Sequence, residues 1–199
     1  MRITSSHILV VVIAMLSYLL WQYVTGGPGN IIVLKASDGN TYKVQDLTHK
    51  RDAAELMAEI HKNLRKVVDF YRQDEYVSDE PARLLVERFN PDAFMENTVT
   101  SSDTSYSENK GDKIVLCLRD KNDPPNYPLI DTNTVMFVVL HEMAHLMTAE
   151  LNGHKHTREF WANFRRLLED ASKLGIYSPV NYSRTPVSYC GMMITDSPL

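Results

Sequence analysis

The sequence predicts a single α+β domain in which a small sheet packs on helices, preceded by an apolar N-terminal segment. Two strand-like runs flank Asp38-Gly39, a long amphipathic helix follows them, and a later strand-like run precedes a strongly apolar helix. The length of 199 residues suits one domain. We therefore expect a folded domain over residues 31–199 and a linker over residues 26–30.

The N-terminal segment contains an uncharged run over residues 8–24. As a helix with a rise of about 1.5 Å per residue, this run is about 26 Å long, which is close to the thickness of a hydrocarbon core. Trp21 and Tyr23 suit the membrane interface. We expect residues 1–25 to be a single transmembrane anchor, with a cleaved signal peptide as the alternative. The few flanking cations do not predict its orientation.

The first elements of the domain are a hairpin and two helices. An Asp-Gly dipeptide between two strand-like runs in residues 31–44 is a hairpin signal. Apolar residues recur every three or four positions over residues 49–73, which predicts a long amphipathic helix. A shorter helix is expected over residues 80–89, where Pro81 suits the first turn.

The middle of the chain combines a polar loop with a strand. Residues 97–112 are rich in Ser, Thr, Asn and Asp, and they predict a loop. The apolar run over residues 113–119 predicts a strand. A proline-bearing loop over residues 120–131 follows, and Asp131 or Thr132 is placed to cap the next helix.

That next helix, expected over residues 134–147, carries the pentapeptide His141-Glu142-Met143-Ala144-His145. Histidines four positions apart lie above one another on a helical face, so both imidazoles can bind one metal ion. The glutamate points beside that ion, where it can take a proton from a metal-bound water. The pattern indicates a zinc hydrolase, since the buried polar side chains of such an apolar helix need partners.

Spacing alone leaves the third metal ligand open. Thr148 and Leu151 occupy the positions at which a metzincin needs glycine and histidine, so that subtype is excluded. A glutamate on the following helix, expected over residues 157–174 with a glycine as its stop, would be Glu159 or Glu169. Glu169 lies off the apolar stripe of that helix, so we expect it to be solvated.

The loop between these two helices offers His154 and His156 as further ligands. A short connection brings the end of the loop back towards the first helix, so a histidine there can reach the metal. We favour His156 as the third ligand and keep His154 as the alternative.

The spacing of these motifs resembles that of the SprT-like and WLM (Wss1-like) metallopeptidases. In that family the HExxH pentapeptide is followed by a histidine that stands four positions before an aromatic residue. His156 fits this pattern because Phe160 and Trp161 follow it at that distance. His154 does not match, because Arg158 stands four positions after it.

The resemblance covers residues 110–195 and implies a minimal zincin-like fold. It implies one Zn²⁺ per chain, bound by His141, His145 and His156. It also implies that Glu142 is the general base. Iron, copper and nickel accept three imidazoles as well, but zinc is the metal that the resemblance implies.

Two further site predictions concern the walls of the cleft. A strand just before the zinc helix suits the upper edge of a peptidase cleft, so we expect Ile114, Leu116 and Leu118 to belong to a strand that pairs with an extended substrate. Tyr189 is the tyrosine that we select, weakly, to stabilise a developing oxyanion.

Composition constrains partners and compartment. The net charge of −4 and the predicted anchor argue against a nucleic-acid partner. Cys117 and Cys190 could form one disulfide or remain two thiols. The segment 178–194 resembles the end of WLM-like proteins from large DNA viruses, many with an N-terminal membrane segment. This second resemblance implies a viral protein in a host or virion membrane.

Together these observations predict a membrane-anchored zinc metallopeptidase that hydrolyses protein or peptide substrates. One alternative is a catalytically inactive structural membrane or virion protein that retains the zinc site. The other is a DNA-associated protein protease. The sequence does not predict the substrate's identity or the oligomeric state.

Overall fold

The computed structural model of the chain describes residues 5–25, 29–149 and 156–199. The helices in these ranges are α1 (Ser5–Thr25), α2 (Lys50–Tyr71), α3 (Glu80–Arg88), α4 (Thr132–Met147) and α5 (Arg158–Lys173). The strands are β1 (Ile31–Lys35), β2 (Thr41–Gln45), β3 (Phe94–Glu96), β4 (Tyr106–Glu108), β5 (Lys113–Leu116), β6 (Val187–Tyr189) and β7 (Met192–Ile194). The mixed α+β class is confirmed.

The first five strands form one mixed sheet in the order β1-β2-β3-β5-β4. β1 and β2 form the predicted antiparallel hairpin, and its turn contains Gly39 at a φ of 85° that favours glycine. β3 pairs in parallel with both β2 and β5, whereas β4 pairs antiparallel with β5. The edges of this sheet are therefore β1 and β4, and β5 lies inside it.

Helix α4 is the centre of the packing. Its apolar residues face every direction, and such a helix is buried on all sides. α3 and α5 pack against it, and α2 connects it to the sheet. Asp131 caps its N-terminus, since Oδ1 of Asp131 accepts a hydrogen bond from the backbone N of Thr134 at 2.9 Å. The polar side chains of α4 are thus held on a rigid element.

The C-terminal segment forms a small hairpin from β6 and β7. Its two-residue turn consists of Cys190 and Gly191, which both have positive φ, as turns of this length require. A disulfide joins Cys190 to Cys117, which directly follows β5. Of the two states that the sequence left open for the cysteines, the structure has the disulfide, and this bond fastens the hairpin to the sheet.

Helix α1 coincides with the predicted N-terminal segment. Within the described ranges, no helix combines the length and the apolar character needed to cross a membrane. The predicted transmembrane helix is therefore not supported, and membrane attachment stays a prediction. Residues 26–28 of the predicted linker lie outside the described residues.

The helices α2 to α5 confirm the predicted helices, and the differences concern short strands. The region 97–112, predicted as a loop, contains β4, and the sequence pattern does not predict β3, β6 or β7. These four strands have three residues each, which is too short for an alternating pattern to stand out. They owe their pairing to tertiary contacts instead.

Candidate metal centre and cleft

The histidines of the pentapeptide share one face of α4. The centroids of the His141 and His145 rings are 5.2 Å apart, as expected for positions i and i+4 of a helix. His145 is buried, and His141 is partly exposed. The buried apolar run before them fixes the helix, so both rings are directed by rigid backbone.

His156 reaches the same place from the start of α5. Thr157 caps this helix by accepting a hydrogen bond from the backbone N of Phe160 at 3.2 Å. The ring of His156, directly before this cap, lies 4.5 Å from the Phe160 ring, centroid to centroid. Phe160 also contacts the ring of His145 at 4.4 Å. The Phe160 ring therefore packs against both His145 and His156, and it holds His156 beside the two histidines of the pentapeptide.

The three histidines form a cluster that fits a zinc ion. One ligand nitrogen from each of His141, His145 and His156 lies within 4.8 Å of the others. The Nε2 atoms of His141 and His156 are 3.1 Å apart. Two nitrogens bound at about 2.05 Å to one tetrahedral zinc lie about 3.3 Å apart, so the His141 and His156 nitrogens are close to the spacing that zinc requires. Burial, aided by His156, lowers the pKa of His141 to about 4, so its imidazole is neutral and has a free lone pair at neutral pH.

Glu142 lies next to this cluster with its side chain buried, at 4% exposure. Burial raises the pKa of its carboxyl group to about 7, and a hydrogen bond from the Ser107 side chain opposes part of that rise. The carboxyl group borders the same cavity as His141 and His145. A buried carboxylate with a pKa near neutrality is suited to accept and return a proton.

A cavity of about 760 Å³ opens over these residues. Helices α4 and α5 form one wall, β4 and the chain before it form another, and the C-terminal hairpin with the tail behind it forms a third. The C-terminal residues that border the cavity are Tyr189 and Met192, Met193, Ile194, Thr195, Asp196, Ser197 and Pro198. The cleft is thus closed on one side by the end of the chain itself.

Tyr189 lies in the wall of the cavity, but its hydroxyl group is engaged elsewhere. Its oxygen is 2.6 Å from Oγ of Ser105, which also accepts a hydrogen bond from the backbone N of Cys117 at 2.9 Å. Burial raises the pKa of Tyr189. The side chain therefore ties the hairpin to the sheet, and a role at the oxyanion stays a prediction.

The predicted substrate-edge strand is wrong. Ile114 and Leu116 belong to β5, which is flanked by β3 and β4 and cannot pair with a further chain. Leu118 lies beyond the end of β5, and all three side chains are buried. A continuous apolar run is typical of an internal strand, whereas an edge strand is more polar. The edge on the cleft side is β4, and Tyr106 of this strand borders the cavity.

The two glutamates considered as metal ligands lie outside the cluster. Oε1 of Glu159 accepts a hydrogen bond from the backbone N of Ala149 at 3.0 Å, after the end of α4. Glu169 forms an exposed ion pair with Arg165 at 2.9 Å. His154 lies outside the described residues.

Sequence reasoning missed three parts of the site. Phe137 precedes His141 by one helical turn, and this spacing alone could have placed it in the cleft. Ser107, which contacts Glu142, and the wall at residues 192–198 are distant from the zinc motif in sequence. No local pattern could have joined them to it.

Comparison with known proteins identifies a matching family model and several relatives. The family model for the WLM domain matches residues 106–185, which include all three histidines, Glu142 and Ser107. An uncharacterized protein, R325, of Acanthamoeba polyphaga mimivirus is 32% identical over 162 residues, which cover 78% of each chain.

The chain belongs to the WLM family. This family is metallopeptidase-like and zinc-associated, and the chain has viral relatives within it. Another is the uncharacterized protein 136R of Invertebrate iridescent virus 6, which is 43% identical over 74 residues, or 37% of this chain and 38% of that protein. Among solved structures, Wss1 from Saccharomyces cerevisiae has a TM-score of 0.49 at 19% identity, over 66% of this chain and 87% of its own.

Proposed function

We propose that this WLM protein is a zinc-dependent metallopeptidase that hydrolyses peptide bonds in protein or peptide substrates. The observation that carries the proposal is the convergence of His141, His145 and His156 within 4.8 Å, beside the buried Glu142 in one open cavity. Three imidazole ligands leave a fourth position open, as catalytic zinc sites do. A closed structural site would need a fourth protein ligand.

The residues of the cleft have separate roles in this proposal. The three histidines hold one zinc ion, which when bound supplies an activated water and polarises the substrate carbonyl. Glu142 accepts a proton at its carboxylate and returns it to the leaving amine. Ser107 donates a hydrogen bond to Glu142 and orients the carboxylate. The free edge of β4 binds the substrate backbone as an added strand.

The first test is the metal content of the purified full chain, measured by elemental analysis without added metal. We expect about one zinc per chain, as the family's ligand set implies. His156→Ala should lose the metal, and His154→Ala should keep it. His49→Ala is the matched control, because His49 is an exposed histidine that pairs with Asp52 on α2. A folded chain without metal would overturn the proposal.

The second test is cleavage of an unfolded protein such as reduced casein. We expect the wild-type chain to cleave it, phenanthroline to stop the cleavage and added zinc to restore it. His156→Ala should be inactive, whereas His49→Ala should match the wild type. A chain that binds zinc but cleaves no protein or peptide would instead be a structural member of the family.

Attachment to a membrane through residues 8–24 is a separate part of the proposal. The described apolar side chains of α1, from Leu9 to Leu20, are between 45% and 65% exposed and face every side of the helix. A helix that is apolar all round needs an apolar surrounding. The chain should therefore resist carbonate extraction from membranes, and Val11→Lys with Leu16→Lys should release it, because each mid-segment charge costs about 3 kcal/mol. Extraction of the wild-type chain would contradict this part.

A further inference from the structure

The part of the C-terminal wall that β7 adds to the cleft, at Met192, Met193 and Ile194, is apolar. Outside α1, the exposed large apolar side chains in the described residues are Val33, Val77, Trp161, Met192, Met193 and Leu199. Three of these six, Trp161, Met192 and Met193, border the cavity that contains Glu142. Exposed apolar side chains that gather in one cavity mark a place where an apolar ligand binds.

This apolar region begins directly beside the zinc motif. The ring of His141 lies 5.2 Å from that of Phe164, and Phe164 lies 5.1 Å from Phe137, centroid to centroid. Trp161 follows on α5, with its ring 6.2 Å from that of Phe164. A group that fills this region is therefore adjacent to any peptide bond held at the histidines.

The opposite wall consists of methionines on a tethered hairpin. Met192 and Met193 belong to β7 and are each 50% exposed. The disulfide between Cys117 and Cys190 fastens the hairpin two residues before Met192, so this wall stays at the cleft. Methionine is flexible and polarisable and packs against apolar groups of several shapes. An exposed methionine at this wall suits a ligand side chain that is large and apolar but not of one fixed shape.

We propose that this region, formed by Phe137, Trp161, Phe164, Met192 and Met193, is the subsite for a large apolar side chain next to the scissile bond. The inference rests on the proposed peptidase function and gives its substrate class. Phenylalanine, leucine and methionine are accepted there. Aspartate and glutamate are rejected, because the side chains of this region are apolar and the cavity already contains the carboxyl group of Asp196.

The test measures binding separately from cleavage. Peptides acetyl-Gly-Gly-X-Gly-Gly-amide, with X as Phe, Leu, Ala, Lys or Asp, are titrated by calorimetry into the full chain carrying Glu142→Gln, which cannot turn them over. We expect the Phe and Leu peptides to bind at least about tenfold more tightly than the Ala and Asp peptides. Equal affinities across the series would overturn the inference.

Variants of the wall then change the preference. Met192→Glu with Met193→Glu should reduce the advantage of Phe over Lys by at least about tenfold, because two carboxylates replace two thioethers. Trp161→Glu on α5 should shift the same ratio, so the test does not depend on the hairpin alone. Val77→Glu is the matched control, since Val77 is 69% exposed and does not border the cavity. An unchanged ratio in both wall variants would overturn the inference.

Cleavage of the same peptides by the chain with native Glu142 separates the two proposals. If the binding preference holds but neither these peptides nor casein is cleaved, the apolar side-chain site stands and the peptidase function fails. If every peptide is cleaved at the same rate and bound equally, the peptidase function stands and the subsite fails.

Discussion

Two buried carboxyl groups in this chain have opposite surroundings. Glu96, on β3, has no exposed surface, and its oxygens accept hydrogen bonds from the backbone N of Gln45 at 2.6 Å and from Nε of Arg119 at 2.7 Å. Glu142, on α4, is also buried, but the side chain that donates a hydrogen bond to it is the neutral Ser107. Glu96 is therefore neutralised within the sheet, whereas Glu142 faces a cavity.

The comparison distinguishes a carboxylate that stabilises the fold, Glu96, from one that is suited to exchange protons, Glu142. Burial raises the pKa of both groups, but at Glu96 the Arg119 guanidinium opposes that rise and keeps the negative charge paired. At Glu142 burial is opposed by the neutral side chain of Ser107, and the pKa of the carboxyl group rises to about 7. A group left between its two protonation states can exchange protons with a substrate.

The largest expected effect is that of Glu142→Gln on cleavage. The amide keeps the shape of the carboxyl group but cannot accept the proton, so the rate of peptide hydrolysis should fall about 100- to 10,000-fold. Zinc content should remain near one per chain, and the unfolding temperature should not fall. Kinetics of casein cleavage and elemental analysis measure both. Wild-type cleavage by this variant would show that Glu142 is not the base.

The matched substitution Glu96→Gln should have the reverse effect. It leaves the buried Arg119 without its counter-charge, which destabilises a protein by about 3–5 kcal/mol. We expect a large fall in the midpoint of urea unfolding, whereas the folded fraction keeps its zinc and its rate of cleavage. If Glu96→Gln instead lowered the rate constant of a fully folded chain, the two carboxyl groups would not differ in the way that their surroundings indicate.

The parts of the candidate site also differ in how far the sequence predicts them. Helical spacing places His141, Glu142 and His145 together, because the period of a helix is local. The third ligand needed the loop and the family resemblance, which pointed to His156. The cluster that the structure contains, His141, His145 and His156, is the one expected.

Other parts of the site depend on contacts between distant segments. Ser107 meets Glu142 only because the edge strand β4 runs beside α4, and this strand is hidden in a polar stretch. The same lack of local signal caused the wrong choice of substrate edge. A continuous apolar run such as that of β5 indicates a strand that is buried on both faces. Such a strand is not expected at the edge of a sheet. Likewise, no periodicity predicts a hairpin of two three-residue strands, although it forms a wall of the cleft.

A smaller effect is expected from Ser107→Ala, which tests the contribution of the hydrogen bond that Glu142 accepts. Loss of one hydrogen bond to the carboxylate should lower kcat about tenfold, with KM and zinc content unchanged. The matched control is Ser37→Ala, because Ser37 donates to the exposed Glu55 at 2.5 Å, far from the cleft in the sheet order. Steady-state kinetics on one peptide distinguish the two. A change in KM alone would mean that Ser107 contacts substrate and does not position the base.

The smallest effect is expected from Tyr189→Phe. The Tyr189 hydroxyl group is 2.6 Å from Oγ of Ser105, so its loss should cost about 1 kcal/mol of stability, as a single hydrogen bond does. Because that hydroxyl group is already engaged in holding the hairpin, kcat should fall by less than about tenfold. Loss of an oxyanion donor would instead lower kcat about 100- to 1,000-fold with the stability unchanged. Thermal unfolding and kcat, measured on the same preparation, therefore decide whether Tyr189 supports the wall of the cleft or acts in its chemistry.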